Sequence, residues 1–397
     1  MPFLLYSYIL TETLIPFFAS LLILGGILFL GQMLPLFEMI VELRVGLDDF
    51  LRLCFYLLPN LSLFAIPMAS MLGVILCFNR MVADNEIVVL KSSGIGSNNL
   101  LPPVALFGLV TAAFTFYTGT ALIPASTIAT EKLLFKVTSE KFDQGLKEGE
   151  FSEGTGKIVF YIDRIAPDSN KWQGVYVSDM RDSSNPVIVS ASSGRFKAVP
   201  DNLQLQVILE DGAIHYGGQD KNNNQVSETI QFEEYFLTMP LQYPQFLTGD
   251  KDTAFGKKGM TQEELLTFAE KHGPEDEETI SKMIEYHKRL VLAVGCFLLT
   301  VLGLPLAVRS RPGARAVALP FSLLLFVFYY ILLTGAKAAA ESGMGVAISM
   351  WSPNILFGIF AVYLLSTNDK LSHEALLDYI FWPLTFISNQ LKRFRSR

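Results

Sequence analysis

The chain has 397 residues, 51% of them hydrophobic, with 38 acidic against 31 basic side chains and a net charge of −7. A mean hydropathy of +0.37 fits about six membrane spans plus one soluble domain of ordinary size. The acidic balance excludes a nucleic-acid binder, and the three cysteines, Cys54, Cys77 and Cys296, all fall in or beside apolar runs and exclude a disulfide framework.

Six windows carry no Asp, Glu, Lys, Arg or His: residues 13–33, 53–79, 100–130, 290–308, 316–336 and 342–368. Each reaches the roughly 20 residues that an α-helix needs to cross a hydrocarbon core about 30 Å thick. The expected fold is therefore a polytopic α-helical membrane protein with a three-plus-three arrangement of spans and a polar domain inserted between them. Span 1 begins about a dozen residues in, without a basic leader region, so uncleaved insertion is expected. Span 2 carries Pro59 and Pro67 and is expected to kink.

Between spans 2 and 3, Asp84 is placed to cap a short helix from Asn85, and Gly94 to end it. Ile87, Val88 and Val89 are weak helix formers, so tertiary contacts must fix it. From the residues alone an ordinary turn fits this loop as well as a helix that docks on a partner. Span 3 is expected to continue past Pro124 as a charged helix around Glu131–Lys141.

From Lys157 the apolar period shortens to two, and residues 157–163, 174–180, 187–192, 203–210, 212–216 and 226–235 read as strands. Polar turn clusters at 167–170, 182–185, 200–202 and 222–224 separate them, which predicts an antiparallel, jelly-roll-like all-β domain. Thr261 and Glu264 fit a capping box, a charged helix over 275–289 feeds span 4, and the tail from Leu371 reads as an interfacial helix with a basic end.

Short loops set the orientation. Arg80, Lys91, Arg309, Arg311, Arg315, Lys370, Lys392, Arg393, Arg395 and Arg397 lie on one side; Arg44, Arg52 and Lys337 lie on the other. Ten against three predicts cytoplasmic termini and a β domain on the outer side of the membrane, which is the periplasm in a diderm bacterium. The segment 124–289 holds 27 acidic and 18 basic residues and carries the negative charge.

Nothing in the residues builds an enzyme. His215, His272, His287 and His373 are scattered without metal-ligand spacing, and Gly154-Thr155-Gly156-Lys157 lacks the spacing of a phosphate loop. No catalytic residue and no metal site is expected, and His287 reads as part of a solvated helix end. The span interiors carry no ionisable group for an ion-driven pump.

Four motifs in order change the picture: Pro67-Met68-Ala69-Ser70-Met71-Leu72-Gly73, Glu86-Ile87-Val88-Val89-Leu90-Lys91-Ser92-Ser93-Gly94-Ile95, Glu285-Tyr286-His287-Lys288-Arg289, and Leu304-Pro305-Leu306 followed by Arg309, Arg311 and Gly313. With the three-plus-three layout they resemble the lipopolysaccharide-export permeases, the LptF/LptG family, over nearly the whole chain. The run from Pro305 to Gly313 and Met350-Trp351-Ser352-Pro353-Asn354 look closer to the LptF branch.

The resemblance implies an ABC-transporter permease subunit with no cofactor of its own, whose ATP is hydrolysed by a separate subunit. Implied partners are a paralogous six-span LptG-like permease, a cytoplasmic LptB-like ATPase dimer, a single-span LptC-like periplasmic protein, and lipopolysaccharide. It implies an inner-membrane location, residues 1–130 as spans 1–3 with a coupling helix near 80–94, 131–260 as the β domain, 261–289 as connecting helices, 290–368 as spans 4–6, and 369–397 as the cytoplasmic tail. Implied coupling residues are Arg80, Asp84, Glu86, Leu90, Lys91 and Gly94, with Glu86 at the family's acidic position. Glu285, His287 and Arg289 form the motif that leads into span 4. Relatives often carry basic residues near the outer end of span 1; here Glu38 and Glu42 stand there, leaving Arg44 and Arg52 as this chain's headgroup contacts. Two other readings are a membrane-anchored scaffold, which would not co-purify with an ATPase, and a permease for another lipid or lipoprotein, which usually has four spans per chain.

Overall fold

A computed structural model describes residues 2–43, 46–145, 147–153, 158–166, 171–180, 187–199, 204–219, 225–239, 256–273, 276–308 and 315–366. The four polar turn clusters, the Gly154–Lys157 stretch, Arg44, the Arg309–Gly313 run and the tail lie outside them. The helices are α1 (Pro2–Leu43), α2 (Leu47–Ala83), α3 (Glu86–Ser92), α4 (Leu101–Tyr117), α5 (Ile123–Gly145), α6 (Gln262–His272), α7 (Glu277–Val308), α8 (Arg315–Glu341) and α9 (Val346–Ser366). Among the described residues six helical stretches are long and apolar enough to cross a membrane: Phe3–Leu34, Leu47–Ala83, Leu101–Glu140, Glu277–Val308, Ser322–Glu341 and Val346–Ser366. They are the six spans expected from the charge-free windows.

The chain divides into two compact units, one of Met1–Leu30, Asn60–Thr120 and Leu266–Arg397, the other of Gly31–Pro59 and Ala121–Leu265. In the first, helices meet where glycine removes a side chain. A Cβ on Gly73 would lie 3.0 Å from the Cβ of Phe17, and one on Gly303 would lie 3.2 Å from the Met71 carbonyl oxygen. Small residues at crossings and buried hydroxyls are what holds helices together where lipid offers no hydrophobic drive. Thr300 of α7 donates to the Ser70 hydroxyl of α2 at 2.8 Å, and Ser70 donates to the Pro67 carbonyl at 3.0 Å. α2 runs as one helix through both of its prolines.

Span 3 departs from a plain helix. Between α4 and α5 the residues Thr118–Leu122 form a π-helical turn. Pro124 has no N–H for the Thr120 carbonyl, and the Thr118 and Thr120 hydroxyls bond back to the Phe114 and Phe116 carbonyls, each at 2.8 Å. Gly119 inside this turn leaves room for Arg289, whose Cβ and Cγ would stand 3.5 and 3.6 Å from a Cβ there.

The second unit holds one antiparallel sheet of six strands in sequence order: β1 (Phe151–Glu153), β2 (Ile158–Ile165), β3 (Trp172–Asp179), β4 (Val187–Val199), β5 (Gln204–Gln219) and β6 (Gln225–Met239). The jelly-roll-like domain is thus a meander among the described residues. Residues on one face line up across strands, as in the row Phe160, Val177, Val189 and Ile214, all buried. Phe135 of α5 belongs to the same buried cluster as Trp172 and Leu209.

The segments 203–210 and 212–216, expected as two strands, are one. Asp211 takes a left-handed φ of 52°, yet the pairing Ser193↔Glu210 and Ala191↔Gly212 keeps register on both sides. Gly212 is required there: a Cβ would lie 2.6 Å from the Phe232 ring and 3.0 Å from the Ala191 Cα. The capping box forms as expected, with Thr261 N donating to Glu264 at 2.7 Å and Glu264 N donating to the Thr261 hydroxyl at 3.3 Å.

Candidate functional site

The loop between spans 2 and 3 folds into α3, shorter than the expected 80–94. Arg80 belongs to the last turn of α2, which ends at Ala83. Asp84 does not cap α3. The N-cap is Asn85, in a left-handed conformation with φ 61° and no side-chain capping bond, while Asp84 turns back to Arg80 at 3.6 Å. Asn tolerates this conformation better than most non-glycine residues, which is why it stands at the corner. The far end closes as a Schellman motif: Ile95 N donates to the Leu90 carbonyl and Gly94 N to the Lys91 carbonyl, both at 3.0 Å, with Gly94 at φ +82°.

Tertiary contacts supply what the β-branched run lacks in helix propensity. Ile87 is buried in a cluster with Ile9 of α1, Phe78 and Met81 of α2, Leu100, and Leu304 of α7, and Leu90 packs against its edge. Val88 and Val89 point the other way and are 63% and 61% exposed. Lys91 is exposed beside them. Two adjacent aliphatic side chains in water on a seven-residue helix form an apolar face with a charged border.

Glu86 opens α3, and its carboxylate accepts from the Tyr8 hydroxyl of α1, with Oε1 and Oε2 at 3.2 and 3.1 Å. One turn further along α1, Glu12 pairs with Arg80. Sequence reasoning missed Tyr8 and Glu12. Their signal is a polar pair at i, i+4 on the first turns of α1, matched by Arg80 and Asp84 at i, i+4 on α2.

The other sequence-derived residues gather elsewhere. Glu285 pairs with Lys288 at 2.9 Å and with Arg289 at 3.4 Å, and Arg289 is fully buried. His287 is not a solvated helix end: Trp351 of α9 donates its indole N–H to His287 Nδ1 at 3.4 Å, and the ring is half-buried. This motif is a packing node between α7 and α9. Arg52 is exposed and bonded within its own helix to Asp48 at 2.8 Å. Among the described residues no group of three or more His, Cys, Asp or Glu side chains could hold a metal ion.

Among the described residues the chain thus combines six candidate spans, an exposed apolar helix between the second and third, and a sheet inserted after the third. The family model for the lipopolysaccharide export system permeases LptF/LptG matches residues 7–367. The lipopolysaccharide export system permease proteins LptF of Escherichia coli (strain K12) and of Shigella flexneri are each 21% identical over 361 residues, covering 90% of this chain and 93% of theirs. An uncharacterised protein of Rickettsia prowazekii (strain Madrid E) is 24% identical over 311 residues, 76% of this chain and 82% of its own length. The family model covers nearly the whole chain, and the chain belongs to the LptF/LptG family of lipopolysaccharide export system permeases.

Proposed function

We propose that this chain is the LptF-type half of a two-permease ABC transporter, and that α3 is the surface on which a separate cytoplasmic ATPase docks. The observation that carries the proposal is α3 itself. Its inner residues Ile87 and Leu90 are anchored in the helical core, Val88 and Val89 face outward, and Glu86 and Lys91 bring charge of both signs to its ends. An apolar pair beside charged groups is the kind of centre that anchors a protein interface. ATP bound by an LptB-like dimer would move α3, and through it the spans.

In this reading both termini are cytoplasmic and the β sheet is periplasmic, as the distribution of loop charges supports. The uncharged spans suit acyl chains, so lipopolysaccharide would leave the inner membrane between this chain and an LptG-like partner. It would then pass along the apolar face of the sheet toward an LptC-like protein. Arg44 and Arg52 remain the basic residues on that side of the first two spans. The chain would hydrolyse no ATP and hold no cofactor.

The test is co-expression with the paralogous permease and the ATPase. Val88→Asp with Val89→Asp should abolish co-purification of the ATPase while both permeases stay paired. Normal ATPase recovery and normal lipopolysaccharide release by that variant would overturn the assignment of α3.

A further inference from the structure

We propose that Tyr8 and Glu12 are positioning residues that fasten the coupling helix to the first span, so that α1 is the element through which movement of α3 reaches the lipid. This rests on the docking role proposed for α3. It adds a second link in the chain of transmission, one that lies wholly inside this polypeptide.

Three observations carry it. First, the carboxylate of Glu86 is not held by its own helix. The Tyr8 hydroxyl lies 3.2 and 3.1 Å from its two oxygens, so one proton is shared between them. An ionised carboxylate has about four acceptor sites, so a docking partner's donor can bind Glu86 without displacing Tyr8. Second, the contact is doubled. Glu12, one helical turn after Tyr8, pairs with Arg80, which also meets Asp84 at 3.6 Å. Two attachment points one turn apart resist rotation of α1 about either one. Third, the joint between α2 and α3 is tight: Asp84 N donates to the Arg80 carbonyl at 2.9 Å and Asn85 N to the Val82 carbonyl at 3.2 Å. Displacement of α3 therefore carries Arg80 and Glu86 together, and both hold α1.

α1 is suited to respond. It is a single unbroken helix from Pro2 to Leu43, and a helix transmits a push along its axis. It is also the least buried candidate span, with 6% of its apolar window buried against 83% for α2. Ile15, Phe18, Leu22, Ile23 and Ile27 are all more than half exposed. A span so lightly packed can shift without opening the helical core, and its apolar side chains are those that acyl chains would touch.

The experiment uses the complete transporter, with both permeases and the ATPase, in phospholipid vesicles loaded with lipopolysaccharide. Tyr8→Phe removes one oxygen, and Glu12→Gln removes the charge while keeping the shape. Each variant is assayed for ATPase co-purification, ATP turnover and lipopolysaccharide released per ATP. The expected result is normal assembly with release per ATP reduced about tenfold by the double variant, the scale of a typical coupling between sites. Glu12→Asp, which restores the charge, should recover part of the loss. Wild-type release per ATP in the double variant would overturn the link while leaving α3 docking intact. Loss of ATPase binding by Tyr8→Phe would also overturn it, because Tyr8 would then serve docking alone. Failure of the docking role itself shows separately, as normal assembly of the Val88→Asp, Val89→Asp variant.

Discussion

Gly295 of α7 lies directly under the hydroxyl of Tyr329 of α8, so that a Cβ at position 295 would stand 2.6 Å from the Tyr329 Cζ. The buried hydroxyl donates to Asn354 Oδ1 of α9 at 2.8 Å, and Asn354 Nδ2 donates to the Val291 carbonyl at 2.9 Å. Three helices are thus tied at one point by a polar network that closes only if residue 295 has no side chain.

Gly295→Ala should push Tyr329 off Asn354 and destabilise the helical unit by about 1–3 kcal/mol, as overpacking does. Thermal unfolding in detergent checks this. The effect should be less than additive with Tyr329→Phe, because both changes break the same bond.

Gly94→Ala should weaken α3 without touching its apolar face. The residue sits at φ +82° with open space around its Cα, so the cost is backbone strain alone, about 1–2 kcal/mol. Hydrogen exchange should accelerate at Gly94 and Ile95, whose N–H groups close the helix end, and ATPase recovery should fall in step.

In the sheet, Trp172→Ala should cost about 3–5 kcal/mol. The indole is fully buried and meets Phe160 edge to face with centroids 6.5 Å apart. The exposed neighbour Gln173→Ala should stay within about 0.5 kcal/mol. Amide exchange across β2 and β3 distinguishes them, with protection lost in the first variant and kept in the second.

Glu210 gives the sheet an acid-side pH dependence. Bonds from the Lys171 ammonium at 2.7 Å and the Ser193 hydroxyl at 3.1 Å hold its carboxyl below the usual carboxylate range. A carboxyl lowered in the folded state stabilises fully above its unfolded value, about 4.3. That contribution disappears as pH falls through the folded value. Glu210→Gln should therefore flatten the acid limb of sheet stability and leave its slope at neutral pH unchanged, as read by unfolding at a series of pH values.

The spans were legible because membranes forbid charge, and six windows show that absence plainly. The helix ends were not. Glu12 lies within α1 although it marks the edge of the apolar window, since a charge marks where the bilayer stops and not where the helix does. The segments 203–210 and 212–216 read as two strands, but Asp211, at a left-handed φ of 52°, lies within one strand whose register is the same on both sides. The fastening of Glu86 by Tyr8 spans 78 positions in the chain, a distance over which local pattern carries no information. Only the matching i, i+4 pairs on α1 and α2 hinted at it. The Schellman end of α3 and the capping box of α6 were legible because each needs only neighbours within six residues.

The meander order of the sheet has a consequence for biosynthesis. Among the described residues the strands β1 to β6 pair in chain order, so each hairpin can close as soon as its second strand has emerged. Contacts between near neighbours form quickly, and domains generally fold as the chain lengthens. The sheet can therefore finish its hydrogen-bonded ladder before α7, α8 and α9 have been synthesised. A released chain truncated after Met239 should already show protected amides throughout β2–β5, so that the inserted sheet is complete without the last three spans.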